Sequence, residues 1–211
     1  FTAAGRNNNE DNPESWNYKD IYATFEGFGW AGADGWLQDK DGQSILRFLP
    51  GNIMNIPFMP FATDCRTNGY TVEAELASHN VQDYDSLVVS CFSGGRGFKI
   101  QSQKASFSSE QSSVSMLFKE DSKIRVTFVV EQRNLNRFVY IYINGVMCGI
   151  TQYPDNDDFR QPEPVGVTIG ADSCGLDLYT LRFYNKGLTR DEQLNNFICD
   201  RSTLDERRKA Y

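Results

Sequence analysis

The stretch from Lys123 to Ile150 constrains this chain more than any other, because it predicts three consecutive antiparallel strands. Residues 124–131 alternate apolar and polar side chains, the period of two expected of a strand with one buried face. Residues 138–143 are apolar on both faces, so that strand is predicted to lie inside a sheet and to be covered on both sides. Asn144-Gly145 then precedes another apolar run. Since both central residues of a type I′ turn need positive φ, this dipeptide predicts a tight hairpin.

The rest of the chain repeats this pattern of short strands separated by turns. Asp41-Gly42 predicts a second hairpin, and Tyr70 to Ser78 alternates as clearly as the central stretch. Residues 176–184 break the alternation near Asp177-Leu178-Tyr179, which predicts a β-bulge. Turn signals every 8–12 residues, without helices between the strands, predict an all-β sandwich.

One short helix is predicted at the C-terminal end of this domain. Thr189 and Glu192 form a capping box, and Leu194, Phe197 and Ile198 supply an apolar stripe after it. The expected division of the chain is an N-terminal arm over 1–18, a sandwich domain over 19–199 and a charged tail over 200–211 that leads to an absent segment.

Composition bounds the class of protein. Hydrophobic residues make up 40% of 211, with 15 Phe and 10 Tyr, which is enough for a sizeable core. The formal net charge of −7 argues against binding a nucleic-acid backbone, which relies on clustered Lys and Arg. No apolar run approaches the length of a membrane span, so no membrane insertion is expected.

The five cysteines and the first residue indicate the context of the chain. The cysteines are far apart and form no CxxC pair, which argues against zinc. Their odd number favours reduced thiols and folding in a cytoplasm, and a single disulfide remains an alternative. The chain begins at Phe1 without Met or a signal peptide, so it is expected to be a fragment or a processed product of a larger polypeptide.

Several motifs resemble a known family. The segments TVEAELAS, RVTFVVE, YIYINGVMCGI, PVGVTIGAD and LDLYTLRFYNKGLTRDEQLNNF, within Tyr70 to Cys199, resemble the laminin-G-like/concanavalin-A-like lectin jelly roll. SWNY, GWLQDKDG, SCFSGGRGFKI and QYPDNDDFRQPEPVG are similar to lectin-like domains in structural proteins of large tailed bacteriophages. The resemblance implies a jelly-roll β-sandwich and a non-catalytic module that binds glycans or proteins, often with one calcium on the rim of the sandwich.

Catalytic constellations are weak in this sequence. Glu73-Ala74-Glu75 is nearest to the paired carboxylates of a glycanase, but glutamates on the outer face of a half-exposed strand are expected to be solvated. His79, the single histidine, is expected at the end of a strand, as a loop histidine rather than a triad base. Ser93 to Gly97 predicts a hairpin turn, because no helix follows these glycines to bind phosphate. We therefore expect no catalytic residues and no enzyme.

The candidate ligand-binding residues lie in two loops. Trp30 and Trp36 are aromatic groups in a glycine-rich stretch, and Asp155, Asp157 and Asp158 belong to an acidic loop. Sugar sites combine aromatic faces with polar groups that bind hydroxyls. A tryptophan in a loop is equally expected as a lid over one end of the core. Calcium could bind this acidic loop, or Asp172 by family position, but a solvated loop is favoured and no cofactor is assigned.

The sequence thus predicts a non-enzymatic binding module of a phage virion protein, in the tail, a fibre or the capsid. Its expected partner is a surface glycan or a neighbouring virion protein, contacted through rim loops, within a larger polypeptide or a homo-oligomer. The expected location is the virion, assembled in the host cytoplasm. The alternatives are a polysaccharide hydrolase or lyase on the same fold and a purely structural decoration or spacer domain.

Overall fold

The architecture is a sandwich of two antiparallel sheets with one helix, as a computed structural model describes it for residues 16–18, 21–57, 69–93, 96–108, 112–119, 123–134, 136–154 and 166–209. The strands are β1 Trp16–Tyr18, β2 Ile21–Glu26, β3 Gly35–Gln38, β4 Ser44–Phe48, β5 Ile53–Ile56, β6 Tyr70–His79, β7 Leu87–Ser93, β8 Arg96–Gln101, β9 Lys104–Ser108, β10 Ser113–Leu117, β11 Ile124–Arg133, β12 Asn136–Ile143, β13 Val146–Pro154, β14 Val167–Ile169 and β15 Gly175–Tyr184. The helix is α1, Arg190–Lys209.

The two sheets confirm the predicted all-β sandwich. One has the order β1-β2-β5-β14-β7-β8-β9-β10, and the other β13-β12-β11-β6-β15-β4-β3. The inward faces of both sheets meet in one core, which includes the fully buried rings of Phe48, Phe98, Phe107 and Phe128. Phe98 of the first sheet stacks on Phe128 of the second with ring centroids 5.1 Å apart. The alternating strands therefore sort their apolar residues as the sequence predicts.

The central hairpin has the predicted geometry. Asn144 has φ 52° and Gly145 φ 79°, and these two residues connect β12 to β13. Strand β12 is covered on both faces as expected. Val139 and Ile141 belong to the main core, while Tyr140 and Tyr142 pack with Val129 in a second, smaller cluster.

The predicted bulge is confirmed in β15. The register of β15 against β6 shifts between Leu178 and Thr180, so Tyr179 is the extra residue. Its hydroxyl donates to Asp39 Oδ2 over 3.0 Å, across the β3–β4 turn. The bulge thus directs the side chain of Tyr179 in β15 towards the turn between β3 and β4.

Strand register brings four loops to the same end of the sandwich. The loops 27–34, 49–52, 80–86 and 170–174 lie together at the end where β6 finishes and β15 begins, and we call them the first rim. They are joined by hydrogen bonds from Gly51 N to Ala171 O (2.9 Å) and from Gln82 N to Ser173 O (3.0 Å). Asn52 Nδ2 also donates to Gly27 O over 2.6 Å. Four loops distant in sequence therefore form one connected surface.

Helix α1 is longer than the short helix predicted. It has 20 residues and includes positions 200–209 of the expected charged tail. Its predicted capping box is present, with Thr189 N donating to Glu192 Oε2 over 2.9 Å and Glu192 N donating to Thr189 Oγ1 over 3.3 Å. No helix in the described ranges is both long and apolar enough to cross a membrane.

Candidate functional site

The paired glutamates of β6 lie on the outer face of the seven-stranded sheet, but they are not solvated, and that expectation was wrong. Glu73 is only 2% exposed, because α1 packs over this face. Glu73 Oε2 accepts a hydrogen bond of 3.0 Å from the Tyr184 hydroxyl and lies 3.6 Å from Arg182 Nη1. Glu75 forms ion pairs of 3.2 Å with both Lys123 and Arg125. Both carboxylates are therefore paired with lysine or arginine side chains on the sheet face that α1 covers.

Asp200 of α1 attaches the helix to this network. Its Oδ2 lies 2.5 Å from Arg125 Nη2 and 2.7 Å from Arg182 Nη1, and its Oδ1 accepts from Arg182 Nη2 over 3.1 Å. Burial alone would raise the pKa of Asp200, but the hydrogen bonds and positive charge of the two arginines outweigh it and hold the pKa below its usual value. Burial would likewise lower the pKa of Arg182, and Asp200 reverses this, so that the pKa is raised. These groups stay charged and bind one another.

The network does not provide a glycosidase acid. Such an acid must reach the leaving-group oxygen of a bound sugar. Glu73 and Glu75 instead bind the cationic side chains of Arg182, Lys123 and Arg125. The cover of α1 also separates Glu73 from solvent. The geometry favours a structural role for this carboxylate pair.

His79 is the last residue of β6, at the strand end that the sequence predicts. Its Nε2 lies 3.4 Å from Asp177 Oδ1, and Arg47 binds the same carboxylate through Nε (2.7 Å) and Nη2 (2.8 Å). Burial would raise the pKa of Asp177, but Arg47 and then His79 outweigh it and lower the pKa. In the part of the chain that the structure describes, no serine or cysteine hydrogen-bonds to His79, so the pair lacks a nucleophile.

Trp30 lies in the first rim with an uncommon backbone conformation. Its φ is 54°, and Asp34 holds the turn by accepting from Gly29 N and Trp30 N, each over 2.9 Å. The half-buried indole stacks on Phe28 with centroids 4.7 Å apart and lies directly against Gly35. Trp30 therefore covers one end of the core and still presents part of its ring at the surface.

Trp36 has a different environment, since it belongs to β3 and not to a loop. It pairs with Leu46 of β4, and the two side chains point to the core side of the sheet. Its half-buried ring packs against that core. The two tryptophans are thus in different settings, and Trp30 is the better placed for a ligand.

The acidic candidates Asp155, Asp157 and Asp158 lie outside the described residues. The strand ends that flank their segment, Pro154 of β13 and Val167 of β14, are at the opposite end of the sandwich from the first rim. Asp172, the other calcium candidate, is exposed in the first rim. Within the described ranges, no group of three or more His, Cys, Asp or Glu could hold a metal ion.

Sequence reasoning missed Tyr84, which is the one aromatic side chain among the exposed large hydrophobic residues of the described part. It is 59% exposed and lies in the first rim between Asp83 and Asp85. The available signal was its position, since an aromatic residue within a short polar connection between two strands has no core face to occupy.

A separate surface exposes aliphatic side chains. Val146 follows the central hairpin turn, and Leu194 and Ile198 lie on α1. A Cβ built on Gly145 would be 3.7 Å from Leu194 and 3.5 Å from Phe197, so the turn and the helix are in contact. We call Val146, Leu194 and Ile198 the apolar patch. Apolar groups gathered in this way are typical of a protein contact.

Comparison with known proteins supports the fold. No protein-family model and no curated protein matches the sequence. Solved structures do match. The binding domain of botulinum neurotoxin DC in complex with rat synaptotagmin II has TM-score 0.60 and 11% identity, over 85% of this chain and 47% of that one. A tryptophan-to-alanine mutant described as HCR/D has TM-score 0.61 and 11% identity, over 91% of this chain and 52% of that one.

The binding domain of botulinum neurotoxin DC in complex with SialylT has TM-score 0.59 and 11% identity, over 85% of this chain and 46% of that one. The present chain therefore spans about half the length of the structures it matches. At this identity the likeness shows a shared β-sandwich fold and nothing finer.

Proposed function

We propose that this chain is a non-enzymatic binding module of a phage virion protein, in the tail, a fibre or the capsid, that recognises a surface glycan through its first rim. The virion assignment rests on the sequence resemblance given above. The neurotoxin domains with a similar fold are described in complex with rat synaptotagmin II and with SialylT, which supports a binding role for a sandwich of this kind.

The observation that carries the proposal is the conformation of Trp30. A bulky residue at positive φ is an outlier that costs free energy, and such strain persists where the surroundings fix it, often at ligand sites. Here the buried carboxylate of Asp34 fixes the turn. The result is a half-exposed indole held in one orientation at the rim, which suits stacking on the apolar face of a sugar.

Mutation of Trp30 tests this role. Trp30→Ala should weaken glycan binding by about 1 kcal/mol or more, the scale of a lost aromatic contact, in titration calorimetry with an oligosaccharide selected on a glycan array. Trp36→Ala is the matched control, because Trp36 packs inward. It should lower the free energy of unfolding and leave the affinity of the folded protein unchanged. The rim assignment is overturned if wild-type affinity survives in Trp30→Ala.

The absence of catalysis is tested with the same glycans. Wild-type protein should bind without releasing new reducing ends, because Glu73 and Glu75 are paired with Arg182, Lys123 and Arg125. Turnover that disappears in Glu73→Gln or Glu75→Gln would establish the hydrolase or lyase alternative instead.

The apolar patch favours a second candidate function, contact with a neighbouring virion protein. Val146 is 64% exposed and Ile198 52% exposed, and exposed apolar patches often mark protein–protein contacts. In this case, Val146→Lys or Ile198→Lys should prevent incorporation of the protein into purified virions, measured by mass spectrometry, while glycan binding is retained. Normal incorporation of both variants would argue against the patch as the contact.

A further inference from the structure

The hydroxyl of Tyr84 has no hydrogen-bond partner among the described residues, unlike the hydroxyls of two other tyrosines. Tyr179 and Tyr184 are buried or half-buried and donate to Asp39 and Glu73. Tyr84 is 59% exposed, and its ring and hydroxyl have no partner among the described residues. An exposed aromatic ring without an internal role is a candidate contact residue, because aromatic side chains bury a large area on binding.

The backbone around Tyr84 is fixed, although the side chain is exposed. Ser102, which is fully buried, donates from its hydroxyl to Tyr84 O over 2.8 Å, and its N donates to Ser86 O over 3.0 Å. Asp85 N donates to Asp83 Oδ1 over 3.0 Å, which closes the turn beneath the ring. The loop therefore holds Tyr84 outward before any ligand arrives. A rigid tyrosine with two side-chain torsions loses little entropy when it is bound.

The polar groups around Tyr84 suit hydroxyl recognition. Asp85 is largely exposed, and its Oδ1 accepts from Gln101 Nε2 over 3.0 Å and lies 3.4 Å from Lys104 Nζ. A carboxylate, an amide and an ammonium group together provide both acceptors and donors for sugar hydroxyls. These hydrogen-bonding groups lie on the residue that follows Tyr84 and on the two strands that adjoin its loop, β8 and β9.

The charge of this surface restricts the class of sugar. Asp83, Asp85 and Asp172 are exposed on the first rim, against Lys104 and the exposed Lys119 beside it, so the surface is net acidic, as is the whole chain at −7. Like charges placed together across an interface oppose binding. A neutral or amino sugar meets no such repulsion, whereas a sialylated or uronic acid sugar does.

We infer that Tyr84 is the stacking residue of a carbohydrate subsite on the first rim, with Asp85, Gln101 and Lys104 as its hydroxyl-binding groups, and that this subsite takes neutral or amino sugars rather than acidic ones. This inference rests on the proposed glycan-binding function and names the residue and the ligand class that the function would use.

The test uses the full 211-residue chain on an array of neutral, amino, sialylated and uronic acid oligosaccharides, followed by calorimetry with the tightest probe. Tyr84→Ala should lower the affinity about tenfold, while Tyr84→Phe keeps the ring and should stay within about twofold of wild type. Leu87→Ala is the matched control, because Leu87 is also exposed, lies just after the loop and has no part in the subsite. It should bind as wild type does.

The outcomes separate the inference from the function on which it rests. Glycan binding that is unchanged in Tyr84→Ala overturns the subsite and leaves the proposed function standing. A preference for sialylated or uronic acid probes overturns the ligand class. No wild-type binding to any probe overturns both the subsite and the glycan-binding proposal. Thermal unfolding of each variant confirms that it is folded before its affinity is compared.

Discussion

Gly145 shows how one residue fixes the central hairpin. Its φ of 79° lies in the left-handed region, and a Cβ there would meet Phe197 at 3.5 Å, an ordinary contact distance. Backbone strain, and not lack of space, therefore limits what this position accepts. Gly145→Val should lower the free energy of unfolding by more than about 1 kcal/mol, since β-branched residues strongly disfavour positive φ.

Denaturation in urea measures this difference. Gly145→Asn is the matched control, because asparagine tolerates the left-handed conformation and should cost clearly less than valine. Equal unfolding midpoints for Gly145→Val and the parent would mean that the turn does not have this conformation in solution.

The residues that sequence reasoning placed correctly are those whose environment depends on near neighbours. Asn144 and Gly145 form their turn from local geometry, and Glu73 and Glu75 point outward because strand alternation requires it. The solvation of Glu73 could not be predicted, because its cover comes from α1, more than a hundred positions later. Strand alternation predicts which face of the sheet a side chain lies on. It does not predict which other element packs on that face.

At the scale of elements, hydrogen bonds and ion pairs help to attach α1 to the sheet. Gln193 and Asn196 bind Leu188 O and the Tyr184 hydroxyl, and Asp200 binds Arg125 and Arg182. Leu194 and Ile198 are exposed. Hydrogen bonds to charged groups are worth about 1.5–3 kcal/mol each, so loss of the Asp200 carboxylate should destabilise the helix contact measurably.

The stabilising effect of Asp200 should depend on pH. Its folded pKa is lower than its unfolded value, so it stabilises the fold fully above the unfolded pKa, near 4, and loses this effect as the pH falls through the still lower folded pKa. Asp200→Asn should therefore be less stable than wild type at pH 7, and the difference should shrink at about pH 2.5. Denaturant titrations at the two pH values measure it.

The charge-conserving variant Asp200→Glu separates loss of charge from loss of shape. A difference between wild type and Asp200→Asn that stays constant across the two pH values would show that ionisation of Asp200 contributes nothing.

Helices, strands and bulges could be predicted where the residues that determine them are close together in the sequence. The capping box marks the start of α1, and the broken alternation marks the bulge at Tyr179. The length of α1 was underestimated, because the residues after Cys199 have no apolar stripe. Asp200, which that pattern assigns to the tail, is held by arginines from β11 and β15, and such tertiary partners are invisible in a local window.

At the scale of the whole molecule, the cysteines provide a test of the expected reducing context. Cys91, Cys148, Cys174 and Cys199 form no disulfide, and Cys65 lies outside the described residues. Alkylation of the unfolded, non-reduced protein should label all five cysteines in the sequence, as mass spectrometry would show. A single labelled cysteine would instead mean two disulfides and a secreted context.

Labelling of the folded protein should be selective. Burial raises the pKa of Cys91 to about 12, and the thiolate is the reactive form, so Cys91 should react slowly. Cys199 is exposed on α1 and should react first. Equal rates for the two would indicate global unfolding during the reaction or a core that is open at Cys91.

The role of Trp30 over one end of the core could be predicted from the sequence, where a loop tryptophan was expected to be either a lid or a ligand contact. Its role in ligand binding stays a prediction. Trp36 was predicted both to end the glycine-rich stretch and to flank the Asp41-Gly42 hairpin, and it lies in β3, the first arm of that hairpin. The first rim joins loops from four parts of the chain, so its composition, including Tyr84, follows from strand register and not from any single motif.

The contact between β10 and β13 has a consequence for how copies of this protein behave at high concentration. These strands are the edges of the two sheets on one side, and Gly149 of β13 packs so closely on Val114 of β10 that a Cβ there would be 2.8 Å away. The two sheets are therefore in contact along that side, which leaves little room for a strand from another molecule to pair there. The described edges on the other side, β1 and β3, are only three and four residues long. Short edges are poor templates for strand addition, so the domain is protected from fibrous polymerisation where many copies are crowded together.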